Sequence, residues 1–260
     1  MKYYIVDAFT DELFKGNQAG VCLLDEWLPG STMQEIAFEN NLAETAFVVK
    51  RDTHYDLRWF TPEQEIDLCG HATLASAFII FNYVDVSSES IEFQTKSGKL
   101  GVRNTWDLYE LDFPARKPDK IEVLPQMSES IGIPVLEAFL SRDMLLVVEN
   151  EQQVQDLVPD YDLMKELKNR LGIIVTAKGT SADFVSRFFM PGTSIPEDPV
   201  TGSAHCSLIP FWSERLQRKK MIAKQLSKRG GTLYCEHCDE RVKIAGKAVL
   251  YLEGSLSVEN

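Results

Sequence analysis

The chain has 260 residues, with 27 basic against 39 acidic side chains and a formal charge of −12. That balance argues against nucleic acid as a partner, which needs a basic stripe, and the length suffices for one large or two ordinary domains without metal or disulfide staples. The longest apolar runs, such as ATLASAFIIF from Ala72, are far shorter than the roughly 20 residues a bilayer span demands, and MKYYIVDAF at the N-terminus carries an early aspartate instead of a signal-peptide core; the expectation is a soluble, cytoplasmic protein with no membrane partner.

In chain order, runs bounded by turn residues read as strands at YYIVDAF, GVCLL, AFVVKR, YDLRWF, IEFQTKSGKLGVRN, LYELDF, MLLVVEN, GIIVTAK, FVSRFF and VLYLEG. Helical periodicity lies in STMQEIAFENN, where Ser31 or Thr32 can cap, in GHATLASAFIIFNYV, in LMKELKNRL and in GSAHCSLIPFWSERL. The class is mixed, with strands dominant. FPARKPDKIEVLPQ, from Phe113, concentrates prolines and alternating charge as a crossing between lobes does, which divides the chain into residues 1–115 and 116–260, with the last strand able to return to the first lobe.

An internal repeat runs through both halves. Arg58-Trp59-Phe60-Thr61-Pro62 leads to Gly70-His71-Ala72 and an apolar helix; Arg187-Phe188-Phe189-Met190-Pro191 leads to Gly202-Ser203-Ala204 and another. Two such halves commonly pack about a pseudo-twofold axis with both helix N-termini addressing one cleft. A helix start offers unpaired N–H groups and the positive end of its macrodipole, and a glycine there allows close backbone approach, so two of them suit a carboxylate ligand. Taken singly, Gly70 and Gly202 also serve as tight strand-to-helix turns.

The halves differ where chemistry is expected: Cys69 precedes the first glycine and Thr201 the second. In NNLAETAFVV, Glu44 sits where a helix hands over to an apolar strand. Among small apolar neighbours a carboxylate is a candidate for a raised pKa and for general acid–base work; it can equally be a surface residue at a helix end. Glu197 and Asp198 precede the second turn and could simply cap the following helix. His71, at the first helix start, is either a proton relay or donor to substrate or a structural histidine.

VDAFTDELFKGNQAGVCLL, NNLAETAFV, RWFTPEQEIDLCGHATLASA, RFFMPGTSIPEDPVTGSAH and the closing RGGTLYCEHCDERVKIAGKAVLYLEGSL resemble the PhzF-like isomerase family of phenazine biosynthesis, within the diaminopimelate epimerase-like superfamily. The pairing of CGHAT with EDPVTGSAH is specific for it. The resemblance implies an α+β fold of two alike lobes, each a sheet or barrel wrapped around a central helix, with the active site between them. It implies a homodimer and an isomerase that moves a proton between carbons with no metal and no cofactor. The family's acid–base glutamate matches Glu44; its other site residues carry over to His71, Asp198, Gly70, Gly202 and Ser203, the last three donating to a substrate carboxylate. Ala43 stands where the family commonly has serine, and Gly16-Asn17-Gln18 where it has Gly-Asn-Pro, so phenazine precursors do not follow as substrates.

Related racemases and epimerases pair two thiols; with Thr201 opposite Cys69 that mechanism lacks a partner here, and Cys69 reads as buried filler or as a reactive thiol at a helix start. The expected function is thus a cofactor-independent isomerase of a small carboxylate-bearing molecule with Glu44 as proton carrier. The alternatives are an amino-acid racemase or epimerase using Cys69, and a non-catalytic carboxylate-binding protein. Five sparse cysteines suit reduced thiols. Cys235-Glu236-His237-Cys238 has C-x-x-C spacing without a second ligand pair, so it reads as a hairpin turn between GGTLY and RVKIAG, and RLQRKKMIAKQLSKRG reads as a solvated helix face and loop. No phosphate-binding glycine motif is present.

Overall fold

The computed structural model describes residues 1–168 and 170–258, which form two compact units, 1–112 with 245–258, and the described residues of 113–244. The first holds β1 (Lys2–Ala8), β2 (Asn17–Leu24), α1 (Gly30–Asn40), β3 (Glu44–Lys50), β4 (Tyr55–Phe60), β5 (Glu65–Ile66), α2 (Gly70–Ile79), β6 (Ser90–Thr95), β7 (Gly98–Thr105) and β8 (Leu108–Pro114). The second holds β9 (Asp119–Ile121), α3 (Pro125–Ile131), β10 (Glu137–Leu140), β11 (Met144–Val147), α4 (Glu151–Asp156), α5 (Tyr161–Glu166), β12 (Ile173–Lys178), β13 (Phe184–Phe189), β14 (Glu197–Asp198), α6 (Gly202–Leu216), β15 (Lys220–Gln225), β16 (Gly231–Cys238) and β17 (Arg241–Gly246). The closing strand β18 (Ala248–Ser255) pairs antiparallel with β1 in the first unit.

The repeat read from two short motifs extends through whole sheets. In the first unit the strands run β18, β1, β2, β3, β4, β6, β7, β8, antiparallel except for the parallel pairs β2–β3 and β4–β6. In the second they run β9, β10, β11, β12, β13, β15, β16, with parallel pairs at the matching places, β11–β12 and β13–β15. Each parallel step needs a crossover; α2 and α6 make the matching pair, from β4 to β6 and from β13 to β15.

Both crossover helices are apolar nearly all round, which marks a helix enclosed by its sheet. In α2 every residue but Phe78 is buried, and the helix packs on β1, β2, β3 and β18; it ends in a π-helical turn, Ile80–Val84. α6 is buried from Gly202 to Ser213 apart from the half-buried Ser203, and packs on β15 and β16. It carries Pro210, whose missing N–H would strand the carbonyl of Cys206 one turn back; the backbone N–H of Arg116 donates to that carbonyl at 2.9 Å instead. Smaller apolar cores lie under α1, built on Met33, Ile36, Phe47 and Phe60, and under α3 to α5, built on Met127, Ile131, Val154 and Met164.

Three local expectations are corrected. The helix over LMKELKNRL stops at Glu166, because Leu167 takes an extended backbone (φ −69°, ψ 118°) that buries its side chain beside Met164 and turns the chain toward β12. The basic run is no helix beyond Leu216: Lys220–Gln225 is strand β15, with Met221, Ala223 and Gln225 inward while Lys220 and Ile222 are exposed, a period of two that the lysines obscured. The Cys235 to Cys238 segment is strand, not turn. β16 runs through Cys238, the turn falls at Asp239–Glu240, and Asp239 takes the left-handed backbone (φ 58°). No helix among the described residues is long and apolar enough to cross a membrane.

Candidate active site

In the first unit, three chain segments converge. α1 ends on Asn41, whose left-handed backbone (φ 47°) reverses the chain so that β3 starts three residues later with Glu44, opposite Ala19 of β2. Asn17 opens β2 directly after Gly16, which has φ +63° and passes so close to the carbonyl of Ala8 that a Cβ would lie 2.2 Å from its oxygen. Only glycine makes that turn. The third segment is the start of α2: Cys69 is extended (φ −139°, ψ 111°), Gly70 is the first helical residue, and Cys69 gives no side-chain cap to the N–H groups that follow.

His71 joins the three. Its Nε2 lies 3.0 Å from Glu44 Oε2, its Nδ1 lies 3.1 Å from the side-chain amide of Asn17, and Cys69 Sγ is 3.5 Å from Nδ1. Cys69 and His71 are buried, and the Glu44 side chain keeps 15% of its surface open to solvent. Glu44 Oε2 is itself buried and accepts no well-aligned hydrogen bond among the described residues. Burial, then the charge of Glu44, pushes the Cys69 thiol up, so it stays protonated at neutral pH. Burial alone would hold His71 neutral, yet Cys69 and Glu44 together carry it well above the ordinary histidine range. An imidazolium donating through Nδ1 calls for the amide oxygen of Asn17, an exchange of the two amide ends.

In the second unit Asp198 closes β14 and is buried, accepting a hydrogen bond from the Thr201 hydroxyl at 2.5 Å. Gln225, fully buried at the end of β15, locks this turn: Nε2 donates to the Asp198 carbonyl at 2.8 Å and to Thr201 Oγ1 at 3.1 Å, while Oε1 accepts the Thr201 N–H at 2.9 Å. With its hydroxyl engaged there, Thr201 leaves the start of α6 without a side-chain cap. Ser203, one residue past Gly202, accepts a hydrogen bond from Arg142 Nη2 at 2.8 Å, and Arg142 is held in turn by the buried Asp143.

The family model described as phenazine biosynthesis-like protein matches residues 6–254. The chain belongs to the phenazine biosynthesis-like family. It is 48% identical over 251 residues, 96% of each chain, to a protein of Pseudomonas aeruginosa named as an uncharacterized isomerase. It is 50% identical to a PhzF-family phenazine biosynthesis protein of Enterococcus faecalis, whose crystal structure superposes with a TM-score of 0.97 over 99% of each chain. At the level of fold alone it also matches a protein described as a predicted epimerase of P. aeruginosa (17% identity, TM-score 0.81, 99% of each chain) and a hydroxyproline epimerase of Agrobacterium vitis (10%, 0.61, 98% of this chain and 91% of that one). The protein is α+β with the diaminopimelate epimerase-like fold, and it is an isomerase.

Within this family member the two units can be compared residue by residue through strand register. Thr45 faces Phe60 as Ile173 faces Phe189, so Glu44 corresponds to Gly172. Trp59 faces Ile66 as Phe188 faces Asp198, and the helix caps match Cys69 to Thr201 and His71 to Ser203. A Cβ on Gly172 would lie 2.2 Å from the Phe188 ring, so the second unit has no room for a carboxylate where the first has Glu44.

Of the residues expected from sequence, Glu44, His71 and Gly70 come together in the first unit, while Asp198, Gly202 and Ser203 lie at the matching turn of the second. Asn17, Gln225 and Arg142 were not anticipated. Asn17 had a signal in its glycine-bearing turn; Gln225 and Arg142, on a lysine-flanked strand and in a Ser-Arg-Asp turn, had none.

His205, one turn into α6, is fully buried; its Nδ1–H donates to the Thr201 carbonyl at 2.8 Å, and Nε2 has no partner among the described residues. Burial lowers it to about 4. The unfolded chain therefore binds a proton that the native state refuses, and stability present above pH ~6.5 is lost as pH falls toward 4, by on the order of 3 kcal/mol for this one group. Denaturant titrations at pH 7 and pH 4.5 should show that loss, and His205→Asn should flatten it.

Proposed function

We propose that this isomerase moves a proton between two carbons of a small carboxylate-bearing molecule, with Glu44 as the acid–base group and no cofactor. The observation that carries it is the buried oxygen of Glu44, a carboxylate whose matching position in the repeat is filled by Gly172. Glu44 takes a proton from one carbon, the C–H electron pair shifts into the neighbouring double-bond system, and the far carbon of that system receives the proton from the same carboxyl group. His71, protonated beside Glu44, fixes the carboxylate and holds charge that develops on the substrate, and the uncapped start of α2 adds backbone donors. Asp198, Gly202 and Ser203 take the roles the resemblance gives them: orienting the substrate and binding its carboxylate. Cys69, a buried thiol matched by Thr201, lacks the second thiol that racemisation by paired cysteines needs. The proposal extends to a homodimer in the cytoplasm.

Turnover of carboxylate-bearing metabolites in D2O tests the proposal. Product should carry solvent deuterium at the accepting carbon where the carboxyl proton exchanges before its return, and substrate deuterated at the donor carbon should otherwise deliver that label there; product with neither label would refute it. With the first substrate so identified, kcat/KM should hold through neutral pH and fall on the alkaline side as His71 loses its proton, since the Glu44 carboxylate and the Cys69 contact beside it move that loss upward. The limb should vanish in His71→Asn; a limb that survives there belongs to another group.

A further inference from the structure

We propose that the Glu44–Cys69–His71 cluster is also an inhibitory site for a thiophilic divalent cation, with Zn2+ as the probe. A carboxylate oxygen, a thiol sulfur and an imidazole nitrogen lie within 4.8 Å of one another, and this is the type of donor set zinc takes. With Zn–S near 2.3 Å and Zn–N or Zn–O near 2.0 Å, tetrahedral ligands sit about 3.6 Å apart for sulfur and nitrogen and about 3.3 Å apart for nitrogen and oxygen. The structure has Cys69 Sγ 4.0 Å from His71 Nε2, and Nε2 3.0 Å from Glu44 Oε2. The Nε2–Oε2 pair opens by a few tenths of an ångström to take one centre, and Cys69 Sγ, which lies 3.5 Å from Nδ1, reaches the same centre by rotation of its side chain.

Two further observations point to an occupant. Glu44 Oε2 is buried 3.0 Å from His71 Nε2 without a well-aligned hydrogen bond, so a cation replacing the Nε2 proton would be held by both atoms. The Asn17 side-chain amide stands 3.1 Å from His71 Nδ1 through its nitrogen; with the two amide ends exchanged, its oxygen accepts the N–H that a metal-bound imidazole keeps there. On binding, the Cys69 thiol proton and the His71 Nε2 proton leave to solvent as the Zn–S and Zn–N bonds form. The cluster then has three protein ligands and an open fourth position. Glu44, tied to the metal, no longer accepts a substrate proton. The effect is inhibition reversed by a chelator.

This inference uses the residues of the proposed proton transfer, but it is read from metal and needs no substrate. The metal-free protein should bind one equivalent of Zn2+ in competition with a chromophoric chelator. Co2+ in its place should give a thiolate-to-metal charge-transfer band that disappears in Cys69→Ser and His71→Asn and persists in Cys238→Ser, which removes the more exposed thiol. X-ray absorption of the zinc-loaded wild-type protein, which needs no variant to fold, should show one sulfur neighbour among nitrogen and oxygen ligands. No stoichiometric binding, a band that survives in Cys69→Ser, or a zinc shell without sulfur or with several sulfurs would overturn the site. Should metal bind while deuterium transfer proves independent of Glu44, the mechanism falls and the metal site stands; the reverse pair of results separates them equally.

Discussion

Glu44→Gln should lower turnover, and with it solvent deuterium incorporation, by about 10²- to 10⁴-fold, the range over which a positioned acid–base group contributes. The amide keeps the shape of the side chain at the start of β3 and removes only the capacity to take a proton, so KM should change far less than kcat. The fold should tolerate it. His71 loses the one negative neighbour that helps hold it protonated, and a neutral imidazole facing an amide leaves no buried charge unpaired. Near wild-type melting with lost exchange is therefore the expected pair of results. Full exchange in the variant would remove Glu44 from the mechanism. The racemase alternative predicts the opposite dependence, on Cys69, and predicts loss of optical activity, which a shift between carbons does not require.

How much of this was legible in the chain depended on whether a residue's role is local. The repeat was visible because an arginine–aromatic strand, a proline loop and a glycine helix start are short-range patterns, and strand pairing extends them to whole sheets. Glu44 and His71 could be named as candidates, but the 3.0 Å contact between them joins residues 27 positions apart and has no sequence signature. The same holds for Gln225, whose three hydrogen bonds stabilise a turn more than twenty residues upstream. Lys220–Gln225 was misread because solvated lysines suggest any exposed surface, while the inward alternation shows only when partner strands are known. The short helices α3 and α4 are too brief for periodicity to mark. Pro125 at the first position of α3 was the one cue, and it was absorbed into the apparent crossing segment.

The largest stability effect is expected at Glu197. Arg187 is buried on β13, its Nε and Nη2 donating to Glu197 at 2.7 and 2.9 Å, its Nη1 donating to the carbonyl of Leu157 at 2.8 Å just past α4, and its guanidinium lying 5.1 Å from the Phe189 ring centre. The first unit repeats the device: Arg58 donates to Glu65 at 2.7 and 2.8 Å and lies over Phe60 at 5.2 Å. The two pairs differ in solvent access, with side-chain exposures of 11% for Arg187 and 26% for Arg58, and Glu65 is also shared with Lys96. Removing one partner of a buried pair leaves an uncompensated charge and costs about 3–5 kcal/mol. Glu197→Gln should cost that much and lower Tm by roughly 10 °C. Glu65→Gln should cost much less, because water reaches the freed Arg58. Arg187→Met combined with Glu197→Leu should recover part of the loss, since no charge remains to be stranded, although the Leu157 carbonyl still loses its donor. Equal costs for Glu197→Gln and Glu65→Gln would mean that desolvation does not set the difference between the two halves of the repeat.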